Sequence, residues 1–210
     1  MKALIGESPL KRIFFSLLFV FSVIIDASAD IGALAGAANR GLSGAIPLTS
    51  GFGPELGLVI PFSPFLEFDA CFVFPRKYDV KAPQGQIFSD SDYERVYSSM
   101  QYLSYTGGVS LIGRFNPGQQ WLPCAGLEMG RAVVFGSGKD GFSGLSIGWK
   151  AGLRYEINEK WTFQVLYSRL TTGLSQEKID GQVRERENEV DVTCGSLRFL
   201  GIYWFALSSK

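Results

Sequence analysis

The 210-residue sequence predicts an all-β fold: a transmembrane up-and-down antiparallel β-barrel, most simply of eight strands. Three observations point there. Apolar and polar residues alternate with period 2 over segments of about 10–14 residues, longer than the ~5–6 of soluble strands and long enough for the ~9–11 of a tilted membrane strand. Short turns alternate along the chain with longer polar connections. The polar face is rich in glycine and nearly balanced in charge, which suits a filled lumen better than a wet surface.

The chain opens with Lys2, Lys11 and Arg12, continues through the apolar run Ile13–Ile25 and reaches Ala27-Ser28-Ala29. A basic start, a short apolar middle and an A-x-A end read as a secretory signal peptide over 1–29. The run is too short for a spanning helix, which needs ~20 residues. Cleavage after Ala29 would leave 30–210 as the barrel. It would remove three basic and two acidic residues from the 20 of each sign, for a net charge of about −1. No basic patch appears, which argues against a nucleic-acid partner.

The strands follow in order. Phe52, Pro54, Leu56, Leu58 and Ile60 oppose Gly53, Glu55, Gly57 and Val59. Leu66, Phe68, Ala70, Phe72 and Phe74 oppose Glu67, Asp69 and Cys71. Leu103, Tyr105, Val109 and Leu111 oppose Ser104, Thr106, Gly108 and Ser110. Ala125, Leu127 and Met129 oppose Cys124, Gly126, Glu128 and Gly130. Ile147, Trp149, Ala151, Leu153 and Tyr155 oppose Gly148, Lys150, Gly152, Arg154 and Glu156. Trp161, Phe163, Val165 and Tyr167 oppose Thr162, Gln164 and Ser168, and Leu197, Phe199, Tyr203 and Phe205 oppose Ser196 and Arg198.

Ser63-Pro64, Asn116–Gln119 and Asn158-Glu159 are the tight turns; 75–99, 135–143 and 173–190 are the longer polar stretches. An even-stranded barrel with both ends on the short-turn side needs one more strand upstream. Residues 30–38, DIGALAGAA, are the candidate, with Arg40–Thr49 as its loop.

In such a barrel the polar face turns inward. Its charges form a candidate lumenal network: Glu55, Glu67, Asp69, Glu128 and Glu156 against Arg114, Lys150, Arg154 and Arg198. Buried charge is costly unless paired, so a near-neutral set fits a packed interior. Phe65, Phe115, Trp121, Tyr155, Trp161, Tyr203, Trp204 and Phe205 cluster at strand ends as a candidate aromatic girdle at the membrane surface.

These features resemble the small eight-stranded outer-membrane barrels of the OmpX, opacity-protein, OmpA-membrane-domain and OmpW types. The best local match is Leu197-x-Phe199-x-Gly201-x-Tyr203-x-Phe205, which looks like the terminal signal by which such barrels are recognised for assembly. The resemblance implies an outer-membrane location in a diderm bacterium, contact with lipid and with the barrel assembly machinery, and a monomer.

The chain has no histidine. That speaks against the barrel hydrolases, which resemble one another in using it for proton transfer; no catalytic residue, cofactor or metal site is expected. Cys71, Cys124 and Cys194 read as small buried side chains, although an oxidising compartment permits one bridge among them. Eight strands leave an interior just filled by side chains, so the expected role is envelope structure or surface contact with envelope or host proteins. Arg76, Lys77, Tyr78, Lys81, Tyr93 and Tyr97 are the candidate loop contacts. One alternative is an OmpW-like path for small apolar molecules, for which Val59, Val73 and Ile112 are inward and apolar but form no continuous stripe. A second is a secreted soluble β-barrel that binds a ligand.

Overall fold

A computed structural model describes residues 31–44, 46, 48–81, 86–87, 96–97, 99–116, 118–136, 141–179 and 182–205. The signal-peptide expectation for 1–29 and the contact candidate Tyr93 lie outside them. The elements are β1 (Ile31–Gly44), β2 (Leu48–Ser63), β3 (Leu66–Asp79), β4 (Gln86–Ile87), β5 (Val96–Tyr97), β6 (Ser99–Ile112), β7 (Trp121–Phe135), β8 (Gly141–Glu156), β9 (Trp161–Ile179) and β10 (Gln182–Phe205). Eight of them close into one antiparallel barrel in the order β1-β10-β9-β8-β7-β6-β3-β2, while β4 and β5 pair separately as a small ribbon. The expected strand count and topology are therefore the observed ones.

The closing seam explains why the weak first strand holds. β1 is built of small residues, yet it pairs without interruption with β10 from Ile31↔Phe205 to Gly44↔Val192. It also pairs with β2 from Gly32↔Val59 to Leu42↔Leu48, with one irregularity at Arg40/Leu42. Both edges are thus satisfied by backbone bonds, so the strand does not depend on its own side chains.

Three boundaries differ from the sequence expectation. β1 continues to Gly44, so Arg40 is a strand residue and not part of a 40–49 loop. β3 runs to Asp79, so Arg76, Lys77 and Tyr78 are strand residues as well. The stretch 173–190, expected as a loop, is the upper part of β9 and β10, paired from Asp191↔Gly173 to Gln182↔Ile179 across an irregularity at Glu185/Val190. The reason is common to all three. Single inward apolar residues such as Leu42, Tyr78 and Leu174 stand among polar and small neighbours on both faces there, so no apolar period marks the strand, while the ladder still satisfies the backbone.

The barrel wall is inverted relative to a soluble sheet. Leu127, Leu145, Ile147 and Leu111 are 64–71% exposed, whereas their polar-face neighbours are inside. An apolar belt of this extent needs lipid around it. The inward glycines act mainly on the wall itself. At Gly130, Gly148 and Gly152 an added Cβ would stand 2.0 Å from a carbonyl oxygen of the adjacent strand. Close approach of neighbouring backbones, more than space for lumenal side chains, is what these positions provide in so narrow a cylinder.

Candidate functional site

The lumen concentrates buried charge, and alternation places it there. Counting inward along β1 gives Leu34, Ala38, Arg40 and Leu42, all buried; β2 contributes Glu55, β3 Glu67 and Asp69, β7 Glu128, β8 Lys150 and Arg154, and β10 Arg198. None of these eight ionic residues is more than 5% exposed.

They form two connected groups. Arg40 and Arg198 both grip Glu55; Arg198 also reaches Glu128, and Lys150 pairs with Asp69 while lying 3.6 Å from Glu128. Arg154 holds both oxygens of Glu67. The Gln164 amide, with its oxygen turned toward Arg154, accepts from Nη2 at 2.6 Å and Nε at 2.8 Å. Four bases meet four acids, so this layer is neutral; a fifth buried acid, Glu177, lies apart from it toward the outer end, opposite Phe142 on the neighbouring strand. Such pairing offsets the desolvation of each ion but does not by itself make the fold more stable than an apolar filling would. Ser110 donates to Asp69 at 3.4 Å, Cys71 Sγ lies 3.0 Å from Arg198 Nη2, and Ser146–Thr172 and Ser168–Ser196 hydroxyl pairs at 2.7 Å fill the gaps.

Apolar clusters lie above and below the ion layer. Toward the outer end Leu42, Leu48, Val73, Tyr78, Met100, Tyr102, Phe142 and Leu174 pack together. Toward the short-turn end the cluster contains Leu34, Val59, Ile112, Leu122, Leu166, Leu200 and Ile202. Val59 and Ile112 thus fall on one side of the ion layer and Val73 on the other. Two cavities of only about 10 Å³ flank the layer, each near the size of a single water. Arg198 lines both and Glu128 one. These residues carry two buried polar atoms without a protein partner, Arg198 Nε and Glu128 Oε2.

The network differs from the expected one at its ends. Arg114 and Glu156 do pair, at 3.1 Å for one of two contacts, but they are 37% and 31% exposed. Arg114 lies past the end of β6 and Glu156 closes β8, so both sit at the mouth where the cylinder opens to water. Arg40 takes their place inside. Its parity with Leu34 and Ala38 was the available signal, hidden by ending the strand at 38.

The aromatic set also needs one correction. Phe65, Phe115, Trp121, Trp161 and Phe205 are outward and about half exposed or more at the short-turn end. Trp121 packs on Tyr155 at 4.6 Å between centroids and Trp161 on Tyr203 at 4.9 Å, each a cross-strand pair. Trp204 has the opposite parity and points inward. Its indole N–H donates to Thr162 Oγ1 at 2.8 Å, the Arg154 guanidinium lies 5.9 Å over its ring, and it packs against the lower apolar cluster. Adjacent strand residues cannot share a face.

Of the contact candidates, Tyr78 is buried in the outer apolar cluster and is not available to a partner. Arg76 and Lys77 are exposed on β3, and Lys81 is exposed just beyond it. Tyr97 lies in β5. Cys71, Cys124 and Cys194 are buried free thiols, so no bridge joins them. Among the described residues no cluster of metal-binding side chains occurs.

No protein-family model and no curated protein matches the sequence. Solved structures do match in fold. Neisserial surface protein A aligns with a TM-score of 0.56 at 18% identity, over 83% of this chain and 97% of that one. OprG of Pseudomonas aeruginosa aligns at 0.53 and 12% identity, over 85% and 96%. AlkL, determined in lipid bilayers, aligns at 0.51 and 13% identity, over 87% and 92%. The chain therefore has the fold of the small eight-stranded outer-membrane barrels.

Proposed function

We propose that this protein is a non-conducting, non-enzymatic outer-membrane barrel that acts in envelope structure or surface contact through its outer hairpins. The observation that carries this reading is the sealed lumen: a neutral ion layer between two apolar clusters, with cavities no larger than a water beside it. A solute crossing it would have to separate several buried ion pairs, each costing several kcal/mol to break. What remains to meet a partner is the outer end. There β10 extends from Gln182, well above Val192, where its pairing with β1 ends. Envelope or host proteins are the partners this surface suits, and the barrel itself acts as a monomer, its assembly assisted by the usual machinery through the aromatic C-terminal strand.

Single-channel recording in a planar bilayer, on protein shown to be folded by heat-dependent gel mobility, tests the seal. Silence is the expected result, and discrete conductance steps would refute it. The contact role is tested by replacing 176–190 with a tight Asn-Gly turn and comparing adhesion of cells displaying each form to immobilised matrix proteins. Equal adhesion by both forms, above that of cells lacking the barrel, counts against the hairpin.

A second reading, passage of small apolar molecules sideways into the membrane, is favoured by one specific feature. The β2–β3 ladder stops at Glu55↔Val73 and resumes only as the bridge Leu48↔Val80. Pro54 and Pro75 lie at the break and offer no N–H. The Tyr78 ring and Arg76 lie against Gly51 and Gly53 in this slot, beside the outer apolar cluster. Entry of an apolar fluorescent dye into proteoliposomes, slowed by Gly51→Val, would favour this reading over the first.

A further inference from the structure

Three strands of the barrel each bring an unsatisfied polar atom to one small space. Tyr102 on β6, Glu128 on β7 and Arg198 on β10 all line the cavity of about 10 Å³ beside the outer apolar cluster. They are 1%, 2% and 4% exposed. The Tyr102 hydroxyl, Glu128 Oε2 and Arg198 Nε have no protein partner. Among the described residues the other such atom, Asn39 Oδ1, belongs to the outward face of β1.

A buried donor or acceptor left unmade forfeits its full desolvation cost, and the great majority in folded proteins find a partner. Three around one cavity point to a shared ligand more than to three separate defects.

Their chemistry selects that ligand. Tyr102 O–H and Arg198 Nε–H donate, whereas Glu128 Oε2 accepts. A metal cation has no lone pair for the two donors, and a simple anion has no hydrogen for Glu128. Water both accepts and donates, and the cavity is near the ~10–15 Å³ that one molecule needs. The Ser104 and Thr106 hydroxyls line it too. On β6 they fall between Tyr102 and Gly108, the residue paired with Glu128, so they span the height between the upper and lower orphaned atoms.

We propose that this cavity binds a structural water. It accepts from Tyr102 and Arg198 and donates to Glu128, with the Ser104 and Thr106 hydroxyls completing the chain of bonds. The molecule belongs to the sealed lumen on which the proposed function rests. It ties the outer apolar cluster, through Tyr102, to the ion layer, and so couples β6 to β7 and β10 across the barrel.

Diffraction from crystals of the full barrel, at a resolution that shows ordered water, tests the proposal directly. The expected result is a peak in the cavity within ~3.2 Å of at least two of the three orphaned atoms. An unfilled cavity would overturn it. So would a peak held by oxygens at ~2.3–2.6 Å, the spacing of a metal ion. The sign of one substitution gives an independent reading. A hydroxyl that holds the water loses a bond in Tyr102→Phe, and the guanidinium midpoint should fall by ~0.3 M. A hydroxyl buried with no partner carries an unrelieved cost, so its removal would raise the midpoint. A rise or an unchanged midpoint would overturn the assignment. Single-channel recording on the same protein separates this from the seal: conductance with the peak present faults the seal, and silence with the cavity unfilled faults the water.

Discussion

Arg154→Ala isolates a single ion pair of the lumen. Arg154 is the only described cation paired with Glu67, and both are about 4% exposed. Glu55, by contrast, keeps Arg198 if Arg40 is lost. Removing Arg154 therefore leaves a buried carboxylate with no counter-charge, a loss of ~3–5 kcal/mol. A polar vestibule of about 530 Å³ opens below the pair, lined by Glu67, Arg154, Gln119 and Thr162 among others. Water from it can reach the orphaned group, so the lower end, ~3 kcal/mol, is expected. With a guanidinium slope of ~3 kcal/mol per molar, the unfolding midpoint should fall by ~1 M. Tryptophan fluorescence of the barrel in lipid vesicles, followed reversibly in both directions, measures it. Adding Glu67→Gln to Arg154→Ala removes the stranded charge and should recover more than half of the loss. A midpoint unchanged in the single variant, or no recovery in the double, would show that the pair is not buried as described.

Other substitutions test other parts of the packing by the same unfolding assay. Gly108→Ala would place a Cβ 2.8 Å from the Leu127 carbonyl and 2.9 Å from Lys150 Nζ; overpacking beside the ion layer should cost ~1–3 kcal/mol. Gly44 has φ +96° and its Cβ position lies 2.7 Å from the Asp191 carbonyl. Gly44→Ala should therefore cost at least ~1 kcal/mol, seen as a lower midpoint without loss of the gel-mobility shift. Trp204→Phe removes the bond to Thr162 and should cost ~1 kcal/mol or more. The adjacent outward Phe205→Leu should instead lower folding yield into vesicles with little change in midpoint.

What the sequence determined by itself was whatever depends on a side chain's alternation and on the contrast between lipid and lumen. Ile147, Trp149 and Leu153 oppose Lys150 and Arg154 within one strand, so the wall, its inversion and seven of its strands were legible from 50 onward. The aromatic pairs at the short turns followed from the same signal, and ignoring parity at one residue, Trp204, produced the one misplaced girdle member. Tertiary structure decided what alternation does not encode. β1 exists because β10 and β2 hydrogen-bond both its edges, and that pairing carried Arg40 into the lumen. The upper halves of β3, β9 and β10 are strands because a ladder satisfies their backbone where no apolar face marks them. Which acid meets which base was likewise decided by register across the closed barrel: Arg154 and Glu67 are 87 residues apart, and only closure, which fixes every strand against its neighbours, brings such groups into contact.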